Sequence, residues 1–261
     1  MPKFAANLTM LFNELPFLDR FAAAKAAGFS GVEFLFPYDF EKVVLREMLH
    51  RYGLVQVLHN LPAGNWAAGE RGIAVRPDRV TEFRAGLERA IDYAKALDCR
   101  RLNCLAGIAP DGSDVETLHR VFVDNLRFAA DALARHNIRL LIEPINTRDI
   151  PGFFLSRTQQ AQDIIAEVGS DNLFIQYDIY HMQVMEGDLA STIRKHLGRI
   201  AHVQLADNPG RNEPGTGEIN FPYLFRYLDE IGYAGWIGCE YKPKTVTDES
   251  LEWLASQAIA A

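Results

Sequence analysis

The sequence predicts a (β/α)8 barrel built as one domain over residues 1–261, and three observations predict it. Apolar, β-rich runs alternate with amphipathic stretches eight times, the pattern of parallel βα units. A length of 261 residues is close to the roughly 250 typical of such a barrel. The first run is followed by Asn7-Leu8-Thr9-Met10, where an open, doubly wound sheet usually carries a Gly-rich phosphate loop.

Taken in order, the expected strands are residues 4–9, 31–36, 54–61, 101–106, 139–145, 173–179, 200–206 and 236–241, recurring about every thirty residues. Helices fill the gaps. In the third gap Val80, Phe83, Leu87, Ala90, Ala94 and Leu97 recur at three- or four-residue steps, while Glu82, Arg84, Glu88 and Asp92 take the other side. Gly28, Gly53 and Gly232 fall where helices end, positions that favour a left-handed cap. No shift in composition marks a second domain.

Charge and composition exclude several functions. A formal charge of -7 and a pI near 5.5 argue against a nucleic-acid partner, because phosphate binding needs a basic face. The N-terminal stretch MPKFAANLTMLF has no signal-peptide pattern, and no apolar run approaches the roughly 18 residues of a membrane span. Cys99, Cys104 and Cys239 are too few and too irregularly spaced for a disulfide framework or a zinc site. The expectation is a cytoplasmic protein with a small-molecule partner and no membrane, its assembly into a homo-oligomer left open.

In a barrel of this type chemistry sits at the C-terminal ends of the strands. Alternation sorts the polar residues there: Leu141 and Glu143 share one face, as do Gln176 and Asp178, His202 and Gln204, and Gly238 and Glu240. The second member of each pair lies near the mouth. Glu143, Asp178, Gln204 and Glu240 thus offer three carboxylates and an amide oxygen, a donor set suited to a hard divalent cation such as Mg2+ or Mn2+. Ordinary pairing of acidic strand ends with loop arginines is the competing reading of any one of them. A catalytic zinc would usually come with more histidine. Glu143 and Glu240, on the fifth and eighth strands, are also candidates for a general acid/base pair.

The most distinctive blocks are LHNLPAGNWAAGERGIA (58–74), IEPIN (142–146), QYDIYHMQ (176–183), HVQLADNPGRNEPGTGEIN (202–220) and GCEYKP (238–243). Through them the chain resembles the hydroxypyruvate isomerase family, within the xylose-isomerase-like barrel superfamily. The likeness runs from Phe4 to Pro243. It implies interconversion of hydroxypyruvate and tartronate semialdehyde, Glu143 and Glu240 as the acid/base pair, and a metal held by Glu143, Asp178, Gln204 and Glu240. A place in glyoxylate metabolism is a family-level expectation. Superfamily relatives commonly have histidine where Gln204 stands.

A carboxylate substrate should meet a cation. Arg71, in the long Gly/Ala-rich loop after the third strand, is the first choice, since a guanidinium grips a carboxylate in a fork and the loop is long enough to close. Lys242 and Arg211 are the others. His181, three residues beyond Asp178, and His59, at the end of the third strand, are candidate donors to a substrate oxygen. Asn7 could reach a substrate oxygen, and Trp66 could cap the pocket. His50, His119, His136 and His196 read as structural or solvated, and His202 as support for the site. The competing functions are an isomerase of a longer 2-oxo acid sugar such as 2-oxo-tetronate, an epimerase of free ketoses, a zinc endonuclease, and a catalytically idle binder on the same scaffold.

Overall fold

The structure is a computed structural model and describes residues 2–254. Eight strands close into a barrel in sequence order, each pair of neighbours parallel. They are β1 (Lys3–Asn7), β2 (Gly31–Glu33), β3 (Val55–Asn60), β4 (Arg101–Cys104), β5 (Arg139–Ile142), β6 (Leu173–Asp178), β7 (Ile200–Leu205) and β8 (Trp236–Cys239). Around them run α1 (Arg20–Ala26), α2 (Lys42–Tyr52), α3 (Val80–Ala96), α4 (Val115–Ala134), α5 (Thr158–Val168), α6 (Ile179–Met185), α7 (Leu189–His196), α8 (Phe221–Glu230) and a short α9 (Thr247–Ser250).

Each helix buries the stripe that its periodicity marks. In α3 the buried side chains are Phe83, Leu87, Ala90, Ile91, Tyr93 and Ala94, and they join the layer between helices and barrel. Gly53 ends α2 in the left-handed region at φ 59°, its N–H returning to His50 and Leu49. Inside the barrel the packing is stratified. Ala5, Val57, Leu58, Leu141 and Ala201, with Phe174 and Trp236 beside them, form a small apolar plug. Gly31 makes room for it, because a Cβ there would overlap the Trp236 ring. Beyond the plug, toward the C-terminal mouth, the buried side chains turn polar.

The ladders stop short of the sequence expectation at that mouth. The β5 strand ends at Ile142 and β8 at Cys239, so Glu143 and Glu240 are the first residues past the strands. One irregularity decides which side chains reach the site. The β2–β3 register shifts between Val32 and Glu33, so Val57 and Leu58 both contribute to the interior plug. After the shift Asn60 faces inward, and its Oδ1 accepts from Asn103 Nδ2 (3.3 Å). His59 consequently faces the helices.

Candidate active site

The C-terminal ends of β5, β6, β7 and β8, with the first turn of α6, bring Glu143, Asp178, His181, Arg211 and Glu240 together over the polar layer. Glu143 is 4% exposed and its Oε2 accepts from Asn103 Nδ2 (2.9 Å) on β4. Glu240 is equally buried, with Oε1 accepting from Asn7 Nδ2 (3.2 Å) and Oε2 from Arg211 Nη2 (2.6 Å). Asp178 doubles as the N-cap of α6, its Oδ1 accepting from the backbone N–H of Tyr180 (2.8 Å) and His181 (3.3 Å). That cap locks the carboxylate and leaves Oδ2 buried, without a hydrogen bond and aimed at the site.

Arg211 reaches the cluster from a loop clipped by one side chain. The Asp207 carboxylate accepts from the backbone N–H of Asn208, Gly215, Gly217 and Ile219, at 2.9–3.1 Å. Arg211 itself sits at φ 56°, unusual for a residue with a Cβ, and the Lys242 N–H holds its carbonyl at 2.7 Å. The guanidinium thereby lies 3.7 Å from Asp178 Oδ2 as well as against Glu240.

One guanidinium among three buried carboxylates cannot offset the cost of ionising them all, so burial wins. Burial, then the neighbouring charges of Glu240 and Asp178, raises Glu143 well above the carboxylate range. Glu240 is pushed up to about 8, chiefly by burial, with Arg211 opposing. Burial likewise raises Asp178 against the pull of Arg211 and its backbone donors. Burial alone would lower Arg211, but Glu240, Asp178 and Glu143 keep it above its ordinary value. The cluster therefore holds a proton at neutral pH and can give it up.

His181 is neutral, held well below its usual range by burial and by Arg211. Its tautomer follows from Asn146, whose Oδ1 accepts the Asp149 N–H (2.7 Å), leaving Nδ2 to donate to His181 Nδ1 (2.6 Å). The imidazole proton then sits on Nε2, 3.5 Å from Asp178 Oδ2, ready to donate at the mouth. Glu143, Asp178 and His181 place ligand atoms within 4.8 Å of one another. With Nδ1 committed as an acceptor, His181 suits donation better than ligation, and the oxygens of Glu143 and Asp178 are the better ligands. An Asp178 Oδ2 that makes no hydrogen bond, set among carboxylates, fits a divalent cation. Gln204 lies in the layer beneath, its Oε1 accepting from Gln176 Nε2 (2.5 Å) with a lone pair to spare.

The other expected residues separate. Asn7 is in the site, bridging Glu240 and Glu33. His59 is not: the β3 bulge turns it onto Tyr38, edge to face at 6.0 Å, and burial lowers its pKa to about 4. Arg71 donates to the carbonyls of Trp66 (3.0 Å) and Glu70 (2.8 Å) and lies over the Trp66 ring at 4.2 Å. The Glu70 carboxylate pairs with Arg79 instead (2.6 Å), so the Arg71 charge stays available on its loop. Trp66 packs against Phe36 (5.1 Å), and Lys242 is exposed near Thr9 and Met10.

Glu33 is the residue that sequence reasoning passed over. It ends β2 fully buried, and its carboxylate accepts from Asn7, His202 and Gln204. The signal was an acid two residues past the inward Gly31, within the apolar run GVEFLF.

Known proteins share this arrangement of chain. The family described as xylose isomerase-like TIM barrel matches residues 21–257. Hydroxypyruvate isomerase of Escherichia coli K12 is 54% identical over 97% of this chain and 98% of its own. The 2-oxo-tetronate isomerase of Cupriavidus necator is 49% identical, with the same coverage of 97% and 98%. A crystal structure from Brucella melitensis, described as AP endonuclease, family 2, superposes with a TM-score of 0.96 at 49% identity, covering 98% of this chain and 99% of that one. The chain therefore belongs to the xylose isomerase-like TIM-barrel family and, within it, to the hydroxypyruvate isomerase family.

Proposed function

We propose that this protein is a hydroxypyruvate isomerase, interconverting hydroxypyruvate and tartronate semialdehyde. The observation that carries the reading is the buried pair Glu143 and Glu240, both raised in proton affinity at one mouth. Moving the carbonyl from C2 to C3 requires that a proton leave C3, that an enediolate form, and that a proton return to C2. A carboxylate whose affinity for protons is brought toward neutrality can do either step. Glu143 and Glu240 take the two roles, exchanging them with reaction direction. His181 Nε2–H and Arg211 face the same space and donate to the substrate's oxygens, and Arg71 on the Trp66 loop receives its carboxylate.

Glu143, Asp178, Gln204 and Glu240 would hold Mg2+ or Mn2+, which when bound polarises the carbonyl and stabilises enediolate charge. Asn103 and Asn7 orient the two glutamates by donating to one oxygen of each, and Arg211 donates to the second oxygen of Glu240. Seclusion at the mouth keeps water from competing for the enediolate.

The 49% identity to a 2-oxo-tetronate isomerase supports a second reading, the same reaction on a four-carbon acid. An endonuclease reading gains nothing from the site. Net charge is -7, and among the described residues the ligand group contains a single histidine. Incubating the protein with hydroxypyruvate in D2O, with and without chelator, and following products by proton NMR tests the proposal. Tartronate semialdehyde carrying deuterium at C2 is the expected product. Turnover of 2-oxo-tetronate alone would move the assignment to the longer acid.

A further inference from the structure

Glu33 gathers the strands on either side of the site around one carboxylate. Its Oε2 accepts from His202 Nε2 (2.6 Å) on β7, and its Oε1 from Gln204 Nε2 (2.7 Å) on β7 and Asn7 Nδ2 (3.0 Å) on β1. The space it fills is made by β8, where a Cβ on Gly238 would overlap the carboxylate. A glycine there and a glutamate opposite are complementary, and neither explains itself alone.

A carboxyl group that accepts from three side chains at once sets the polarity of the two amides it touches, since each must present its N–H. An isolated Gln amide can sit either way round. With Nε2 committed to Glu33, Gln204 must turn Oε1 away, where it accepts from Gln176 and keeps a lone pair for a cation. Asn7 is constrained likewise: Nδ2 is shared between Glu33 and Glu240, and Oδ1 accepts the Thr9 N–H (3.0 Å). Two residues of the proposed machinery thus take their orientation from a third that is fully buried.

We propose that Glu33 is the positioning residue of this active site, setting the amide polarity of Gln204 and, through Asn7, the placement of Glu240. The proposal rests on the isomerase reading above. The test is Glu33→Gln in the full-length protein, measured for kcat and KM on hydroxypyruvate and for Mn2+ affinity by titration. The variant keeps the size of the side chain, but its N–H can meet His202, whose free Nδ1 lets the ring switch tautomer, so Glu33→Met, which removes both acceptor oxygens at similar length, is measured beside it and carries the expectation. Expected are a kcat loss of about 10- to 100-fold with KM changed less than about threefold, and Mn2+ binding weakened about tenfold or more, the range for partners that orient metal ligands.

The exchange Glu33→Gln with Gln204→Glu restores a donor facing an acceptor at that contact, so the double variant should melt higher than Gln204→Glu alone. If Glu33→Met does not fold, Gln204→Glu carries the comparison, since it sets two carboxylates face to face and the double variant should recover its lost melting temperature. Unchanged kcat and Mn2+ affinity in a folded Glu33→Met, or a double variant no more stable than Gln204→Glu, overturns the proposal. Wild-type protein that binds Mn2+ but does not turn over hydroxypyruvate overturns the isomerase reading alone, and the Mn2+ ratio then decides Glu33. Wild type that does neither overturns both.

Discussion

Replacing Glu240 by Gln removes an ionisable oxygen from the carboxylate cluster while keeping the side chain's shape, and its effect on stability should change with pH. Burial above all holds the Glu240 proton on up to about 8. In the unfolded chain the same group ionises near about 4.3. Because the folded value is the higher one, its stabilising contribution is complete below the unfolded value and is lost as pH rises through the folded one. Each pH unit in that window costs ~1.4 kcal/mol, so the full ramp is on the order of 5 kcal/mol. Gln copies the protonated carboxyl and has no such ramp. Urea denaturation of chelated protein should find wild type and Glu240→Gln within ~1 kcal/mol at pH 5. By pH 9 the variant should be the more stable by several kcal/mol. Its turnover should fall at least about a hundredfold, the scale of losing a general acid or base. A variant both more stable and nearly inactive separates chemistry from folding. A stability gap that does not widen with pH would refute the assignment of the proton to this cluster, and near-normal turnover would remove Glu240 from catalysis.

Glu143→Gln should likewise fold and lose at least about a hundredfold in kcat, and steady-state kinetics near wild type would take Glu143 out of the acid/base pair. Adding Mn2+ to chelated protein should raise its melting temperature and release protons, because the cation displaces those held by raised carboxylates; calorimetry in buffers of different ionisation enthalpy reads the release, and none would argue against Glu143 and Asp178 as ligands. Arg71→Ala should raise KM for hydroxypyruvate about tenfold with kcat largely kept, and an unaltered KM would shift carboxylate recognition to Arg211 or Lys242. His59→Leu should leave kcat within about threefold, since the imidazole faces Tyr38 and the helices, whereas a loss beyond about tenfold would return it to the mouth.

By itself the sequence determined the repeating units and the identity of the mouth acids. Periodicity survives from sequence to structure because a two-residue repeat on strands and a 3.6-residue repeat on helices are local properties that burial reinforces. All eight strands form where apolar runs stand, and Glu143, Asp178 and Glu240 converge because each closes such a run. What tertiary structure decided was phase, partnership and tautomer. The β3 bulge depends on how β2 and β3 stack over the Val57 and Leu58 plug, and it exchanges His59 for Asn60 at the mouth. Arg211 reaches Glu240 only because Asp207 folds its loop back through four backbone N–H groups. Glu33 acquires its place from residues far away in the chain, His202, Gln204 and Gly238, that meet it only on barrel closure. A one-residue slip in a strand reverses every side chain beyond it, and a buried carboxylate is defined by its neighbours. Both are properties of the closed barrel that no local pattern carries.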